Sequence, residues 1–105
     1  MPFFEVFVLS YNRGEFIQFT IESLLNQSFK DFRITVLDNA STDNTSRIVN
    51  TYPVRFISQQ SNVGAINNFF SAAQYCEAEW LMIFHDDDLL HPDYLKFAHE
   101  AILNW

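Results

Sequence analysis

Trp80-Leu81-Met82-Ile83-Phe84-His85-Asp86-Asp87-Asp88 decides how the rest of the chain is read. The first five residues are the most apolar run in the sequence, of strand length, and they break abruptly into a polar turn carrying three consecutive carboxylates. Pro92 then suits the first turn of a final helix, expected to run through Trp105. The same grammar recurs upstream. Phe4 to Leu9 is β-branched and aromatic and ends at Ser10-Tyr11-Asn12-Arg13-Gly14, while Phe32 to Leu37 ends at Asp38-Asn39-Ala40-Ser41-Thr42-Asp43. Both endings are rich in turn and cap residues. Val54 to Ser58 is a third strand-like run, followed by a polar loop to Asn62-Val63-Gly64.

Helical spacing fills the gaps between these runs. Ile17, Ile21, Leu24 and Leu25 repeat within Glu15 to Gln27. Thr45, Ile48, Val49 and Tyr52 share one side of a segment that Pro53 stops, and Ile66, Phe69, Phe70 and Ala73 form an apolar face in a third helix ending near Cys76. Four strands alternating with four helices predict an α/β fold: a three-layer α/β/α arrangement around a mostly parallel sheet with right-handed crossovers. Ligands of such sheets bind beyond the carboxyl ends of the strands. The polar clusters at Ser10 to Arg13, Asp38 to Asp43 and Asp86 to Asp88 all fall at such ends.

The totals fit one small domain over residues 1–105, with 49% hydrophobic and 18% charged residues. A net charge of −7 with only 6 Lys and Arg argues against nucleic acid as a partner and implies that an anionic ligand needs a bridging cation. Cys76 is the single cysteine, which excludes an intrachain disulfide and suits a reducing, cytoplasmic setting. No run reaches the length of a membrane-spanning helix. Twelve Phe suggest either a very aromatic core or apolar surface that something else covers.

Three adjacent carboxylates repel one another unless a cation neutralises them. Hard oxygen ligands suit Mg2+ or Mn2+, and Mg2+ is commonly held by one or two carboxylates plus substrate phosphates. Asp86 to Asp88 therefore resemble half of a metal–diphosphate site, the alternative being a solvated capping turn. Asp38 offers ligand hydrogen bonding or, equally, a turn closed on its own backbone. His85 is secondary, and His91, His99 and Cys76 lack ligand spacing.

Val6 to Arg13, Glu22 to Phe29, Val36 to Thr45, Asn62-Val63-Gly64 and the His-Asp-Asp-Asp block with Pro92 resemble, in order and spacing, the opening of family 2 glycosyltransferases. That resemblance implies the nucleotide-sugar-binding half of a GT-A fold with strand order 3-2-1-4 and inverting transfer from a nucleoside-diphosphate sugar, a UDP-sugar being favoured. It implies a binding set of Ser10, Tyr11, Asn12, Arg13, Asp38, Asn39, Asn62, Gly64 and Asp86, with Asp38 on the base and Asp86 on ribose. Asp87, then Asp88, is the implied ligand of Mn2+ or Mg2+. Two departures stand out: His85 replaces an Asp common in the family, and no basic residue lies between Ala65 and Ser71, which leaves Arg13 or the metal to neutralise phosphate. The family's general base lies in a later segment, so the expectation is a truncated chain with its catalytic base beyond Trp105. In the full-length protein the acceptor would be a glycan or lipid-linked sugar, in polysaccharide biosynthesis by analogy, and a homodimer through uncovered apolar surface is expected. The rival reading is a non-catalytic nucleotide-binding or interaction module. A phosphorelay receiver would want its acidic pair where Ser10-Tyr11-Asn12 stands, and a nucleotidyltransferase would want a glycine-rich first loop.

Overall fold

β1 (Phe4–Ser10) is buried along its whole length and is the strand around which the other elements assemble. In the computed structural model, which describes residues 1–105, β2 (Phe32–Asp38) and β4 (Trp80–His85) flank it, and β3 (Arg55–Ser58) lies outside β2. All pairings are parallel, in the order β3-β2-β1-β4. The register aligns Ser10 with Asp38 and Leu9 with His85, so the loops after β1, β2 and β4 leave the sheet at one level. That alignment brings three distant polar clusters to one edge.

Alternation along β1 divides the core in two. Phe4, Val6 and Val8 pack in a ten-residue cluster with Ile17, Ile21 and Leu24 of α1 (Ile17–Leu25), Val49 of α2 (Thr45–Val49) and Leu95 of α4 (Tyr94–Leu103). Phe7, Leu9 and Leu37 join Ala72 of α3 (Ala65–Tyr75) in a second cluster of four, with Ile57, Cys76 and Ile83 packed against it. Each fully buried aliphatic or aromatic side chain is worth about 1.5–3 kcal/mol, so the first layer carries most of the apolar stabilisation.

The second layer is supplemented by charge. Glu5, fully buried, lies opposite Arg33 in register and accepts from Arg33 Nε at 2.7 Å, Thr35 Oγ1 at 3.0 Å and the Glu77 N–H at 3.2 Å. Burial alone would push this carboxyl up, but the Arg33, Glu77 and Thr35 hydrogen bonds outweigh it and hold Glu5 below the ordinary glutamate value. Arg55 extends the network to Glu77 Oε1 at 3.2 Å and to the Tyr75 carbonyl at 3.1 Å, anchoring the end of α3.

Three details depart from the sequence reading. The run Trp80 to Phe84, although the most apolar in the sequence, forms an edge strand: β4 pairs only with β1, and Trp80 and Leu81 are 45% and 37% exposed. On α3 the buried residues are Asn68 and Ala72, whereas Ile66, Phe69 and Phe70 point outward. A small side chain lets the helix approach the sheet closely, and Asn68 Nδ2 donates to the Leu37 carbonyl at 3.1 Å. Finally, α4 stops at Leu103, with the Asn104 N–H closing on the Glu100 carbonyl, and leaves Trp105 outside the helix. No helix is long and apolar enough to cross a membrane.

Candidate functional site

The loops after β1 and β2 are stitched together by short polar side chains. Asn12, in the left-handed region at φ 51°, donates its N–H to Ser41 Oγ at 2.8 Å, and its Oδ1 accepts from the Thr42 N–H at 2.8 Å. The Gly14 N–H donates to Asp43 Oδ2 at 3.0 Å. Burial raises the Asp43 carboxyl, but hydrogen bonds from Thr45 and Gly14 more than offset this and leave it below the ordinary value. Asp38, 2% exposed, accepts from the Ser41 N–H at 2.8 Å and Ser41 Oγ at 2.6 Å, closing a turn over Ala40 at φ 64°. Both carboxylate oxygens of Asp38 are thus engaged by its own loop, although each retains further acceptor capacity.

Asn39 is the junction of three segments. Its N–H donates to the Ser10 carbonyl at 2.9 Å, its Nδ2 to Asn62 Oδ1 at 3.0 Å, and its Oδ1 accepts from the Val63 N–H at 2.9 Å. Asn62 Oδ1 also accepts from the Gly64 N–H at 2.8 Å. Gly64 sits at φ 88° with open space where a Cβ would lie, so its requirement for glycine is conformational and not steric.

These residues line a cavity of about 690 Å³ between the ends of β1 and β4 and the start of α3. Ser10, Tyr11, Asn39, Asn62, Gly64 and His85 form one part of it; Ile66, Asn68, Phe69 and Phe70 form the wall on α3. The volume falls within the range of small-ligand sites. Ser10 Oγ is buried without a hydrogen-bond partner. Asn12, Arg13 and Asp38 do not line the cavity; they hold the loops beside it.

Beyond His85 the three carboxylates diverge. Asp86 turns inward, 8% exposed, and its Oδ2 accepts the Tyr11 N–H at 3.0 Å, with Arg13 Nε 3.9 Å from Oδ1. Burial raises the Asp86 carboxyl above the ordinary value; the Tyr11 N–H and Arg13 oppose that shift, and the Asp87 charge adds to it. Asp88 caps its own turn, its Oδ2 accepting the His85 N–H at 2.7 Å. Asp87 is exposed and its carboxylate has no hydrogen-bond partner in the protein. No group of three or more His, Cys, Asp or Glu is arranged to cage a metal ion. One free carboxylate beside a half-engaged one suits the sparse protein ligation of Mg2+ or Mn2+, whose remaining positions are filled by phosphate and water.

The family model for Glycosyl transferase family 2 matches residues 5–103. The chain belongs to this family. Among curated relatives of this family 2 chain, chondroitin synthase of Escherichia coli is 32% identical over 104 residues, covering 93% of this chain and 15% of that protein. Abequosyltransferase RfbV of Salmonella typhimurium is 31% identical, covering 82% of this chain and 28% of that protein. The crystal structure of S. aureus TarS 1-349 superposes with a TM-score of 0.90 at 29% identity over 99% of this chain and 33% of that one, and TarS has also been solved with UDP and with UDP-GlcNAc. The mannosyltransferase PcManGT of Pyrobaculum calidifontis, at 24% identity and a TM-score of 0.83, shares the GT-A fold. The chain spans about a third or less of these proteins.

The wall of the cavity on α3 is not among the residues that the sequence motifs point to. Helical spacing groups Ile66, Phe69, Phe70 and Ala73 on one apolar face, yet this face is not packed on the sheet, and Phe70 is 64% exposed. The signal that could have reversed the assignment is the pair Asn68 and Ala72, four residues apart and small or amide-bearing, which suits close approach to strand carbonyls.

Proposed function

We propose that this chain is the donor-binding part of a sugar transferase, holding a nucleoside-diphosphate sugar across the carboxyl ends of β1, β2 and β4. The observation that carries the reading is the juxtaposition of a cavity lined by Tyr11, Asn39, Asn62 and Gly64 with a turn on which Asp87 presents a carboxylate free of protein partners. Family membership and the UDP-bound TarS structure support a UDP-sugar as donor.

In this reading the nucleoside occupies the cavity, where Tyr11 offers a half-exposed ring and Asn39 and Asn62 an amide-lined edge. Asp38 supports the base-binding loop from below, Asp86 lies near ribose, and Asp87, aided by Asp88, directs the diphosphate to the strand ends. A Mg2+ or Mn2+ bound there supplies charge neutralisation on the departing nucleoside diphosphate. Arg13, half-exposed beside Asp86, is the protein's own cation within reach of the same phosphates. Transfer inverts the anomeric centre, with the catalytic base and the glycan or lipid-linked acceptor supplied by the full-length protein in a cytoplasmic polysaccharide pathway. The unpaired edge of β4 and the exposed Phe69, Phe70 and Phe97 support a homodimer.

Calorimetric titration of UDP, GDP, dTDP and their sugars, with Mn2+ and with EDTA, tests the reading. A uridine-selective affinity that needs Mn2+ is expected. Equal affinity in EDTA removes the metal role and returns Asp86 to Asp88 to a capping turn.

A further inference from the structure

Between the acidic turn and α4 the segment has one apolar anchor, Leu90, partly buried against the main core. Leu89 is 73% exposed, His91 and Pro92 are exposed, and Leu95 is the first fully buried residue downstream. The rest of the hold on this segment is a set of hydrogen bonds from α1 and the residues just after it. Gln27, fully buried, donates from Nε2 to the His91 carbonyl at 2.8 Å and to the Ser23 carbonyl at 3.1 Å, while its Oε1 accepts the Leu95 N–H at 3.0 Å. Its neighbours add to the clamp. Ser23 Oγ accepts the Leu90 N–H at 3.3 Å, the Ser28 N–H donates to the Pro92 carbonyl at 2.8 Å, and Ser28 Oγ donates to Asp93 Oδ1 at 2.6 Å.

We propose that Gln27 is a positioning residue for the acidic turn, its buried amide fixing the path of residues 90–95 and so the point at which Asp87 presents its carboxylate. On the upstream side, Asp86 is tied to the Tyr11 N–H and Asp88 to the His85 N–H. Asp87 therefore rides between two anchors, one on β1 and β4 and one on α1. The second is largely polar, and its buried part is one side chain that spends a donor and an acceptor on two backbone groups of the segment and its other donor on the Ser23 carbonyl of α1. An apolar residue of similar size would fill the space but strand the His91 carbonyl and the buried Leu95 N–H, which then seek water by shifting the segment. The chemistry also explains why glutamine suits this position: a carboxylate could not donate to the two carbonyls. The proposal rests on the reading of Asp87 as a donor-site ligand.

The test compares wild type, Gln27→Leu and the milder Ser23→Ala, which removes the acceptor for the Leu90 N–H together with the hydroxyl's own local bond to the Thr20 carbonyl. UDP affinity is measured with and without Mn2+, and amide hydrogen exchange is followed at Asp88, Leu90 and Leu95. Gln27→Leu should reduce the Mn2+-dependent gain in UDP affinity about tenfold, the scale of lost support behind a metal ligand. Metal-free UDP affinity should stay within about twofold, and exchange at Asp88 should accelerate along with that at Leu90 and Leu95. Ser23→Ala should shift the same readouts in the same direction by less, and it serves if Gln27→Leu does not fold. Accelerated exchange confined to Leu95, with Asp88 protection and the Mn2+ gain unchanged, overturns the proposal. If wild type shows no Mn2+ gain, the metal reading of Asp87 falls, and Asp88 exchange alone then decides whether the clamp reaches the turn.

Discussion

Replacing Asp86 by Asn should stabilise the fold while weakening nucleotide binding. Asp86 is 8% exposed, and its pKa is raised chiefly by burial, which means that the folded state holds the ionised form less favourably than the unfolded chain does. The side-chain amide keeps an oxygen for the Tyr11 N–H, so the 3.0 Å hydrogen bond survives in weaker, uncharged form. The substitution gives up the ion pair with Arg13 at 3.9 Å, a half-exposed side chain whose charge partnership is worth at most about 1 kcal/mol. Relief from burying a charge beside Asp87 exceeds that cost, and each 1 kcal/mol of net gain corresponds to a Tm rise of roughly 4–8 °C in a domain of this size. The sign with pH follows from the raised folded pKa. The destabilising contribution of Asp86 is complete above its folded pKa, and it fades as pH falls from that value through the ordinary 3.8, below which both states are protonated. Urea unfolding of both proteins at pH 7, and at steps down towards pH 4, should show an advantage for Asp86→Asn that shrinks with acidity. A wild type more stable than the variant at pH 7 would refute the reasoning, because it would mean that Tyr11 and Arg13 overcompensate the burial.

Asp87→Asn should abolish the Mn2+ dependence of UDP binding in calorimetry and leave unfolding free energy within about 0.5 kcal/mol, as expected for an exposed side chain without partners. Glu5→Ala should destabilise the chain by about 1–3 kcal/mol in urea unfolding, since Thr35 Oγ1 and the Glu77 N–H lose their acceptor and the partly exposed Arg33 loses one of its two carboxylates. Because the folded pKa of Glu5 is depressed, the stability it contributes is present above the ordinary 4.5 and is lost as pH falls through the folded value, so the difference between Glu5→Ala and wild type should narrow only in that acid range. Phe70→Ser together with Phe97→Ser should lower the association seen by light scattering at raised concentration, and an unchanged particle size would remove these aromatics from the dimer surface.

Local signals settle much of the architecture, because strand, turn and helix preferences are written in consecutive residues. The alternation of four strands and four helices, the turn chemistry at Ser10 to Arg13 and Asp38 to Asp43, and the carboxylates after Phe84 are all legible in the order of residues. Which strand is central is not written in local signals, and only the family resemblance implies the order 3-2-1-4 that the sheet has. Trp80 to Phe84 is the most apolar run yet forms an exposed edge, whereas β1, with Glu5 and Ser10 in it, is buried throughout because it is paired on both sides. Likewise, hydropathy cannot choose between the faces of α3, since close approach to the sheet favours Asn68 and Ala72 over three bulky residues. The division of labour among Asp86, Asp87 and Asp88 also belongs to tertiary structure. Adjacent identical side chains carry no distinguishing local signal, and only the Tyr11 N–H brought over by β1 pairing, the turn at His85 and the solvent beside Asp87 give each carboxylate a different environment.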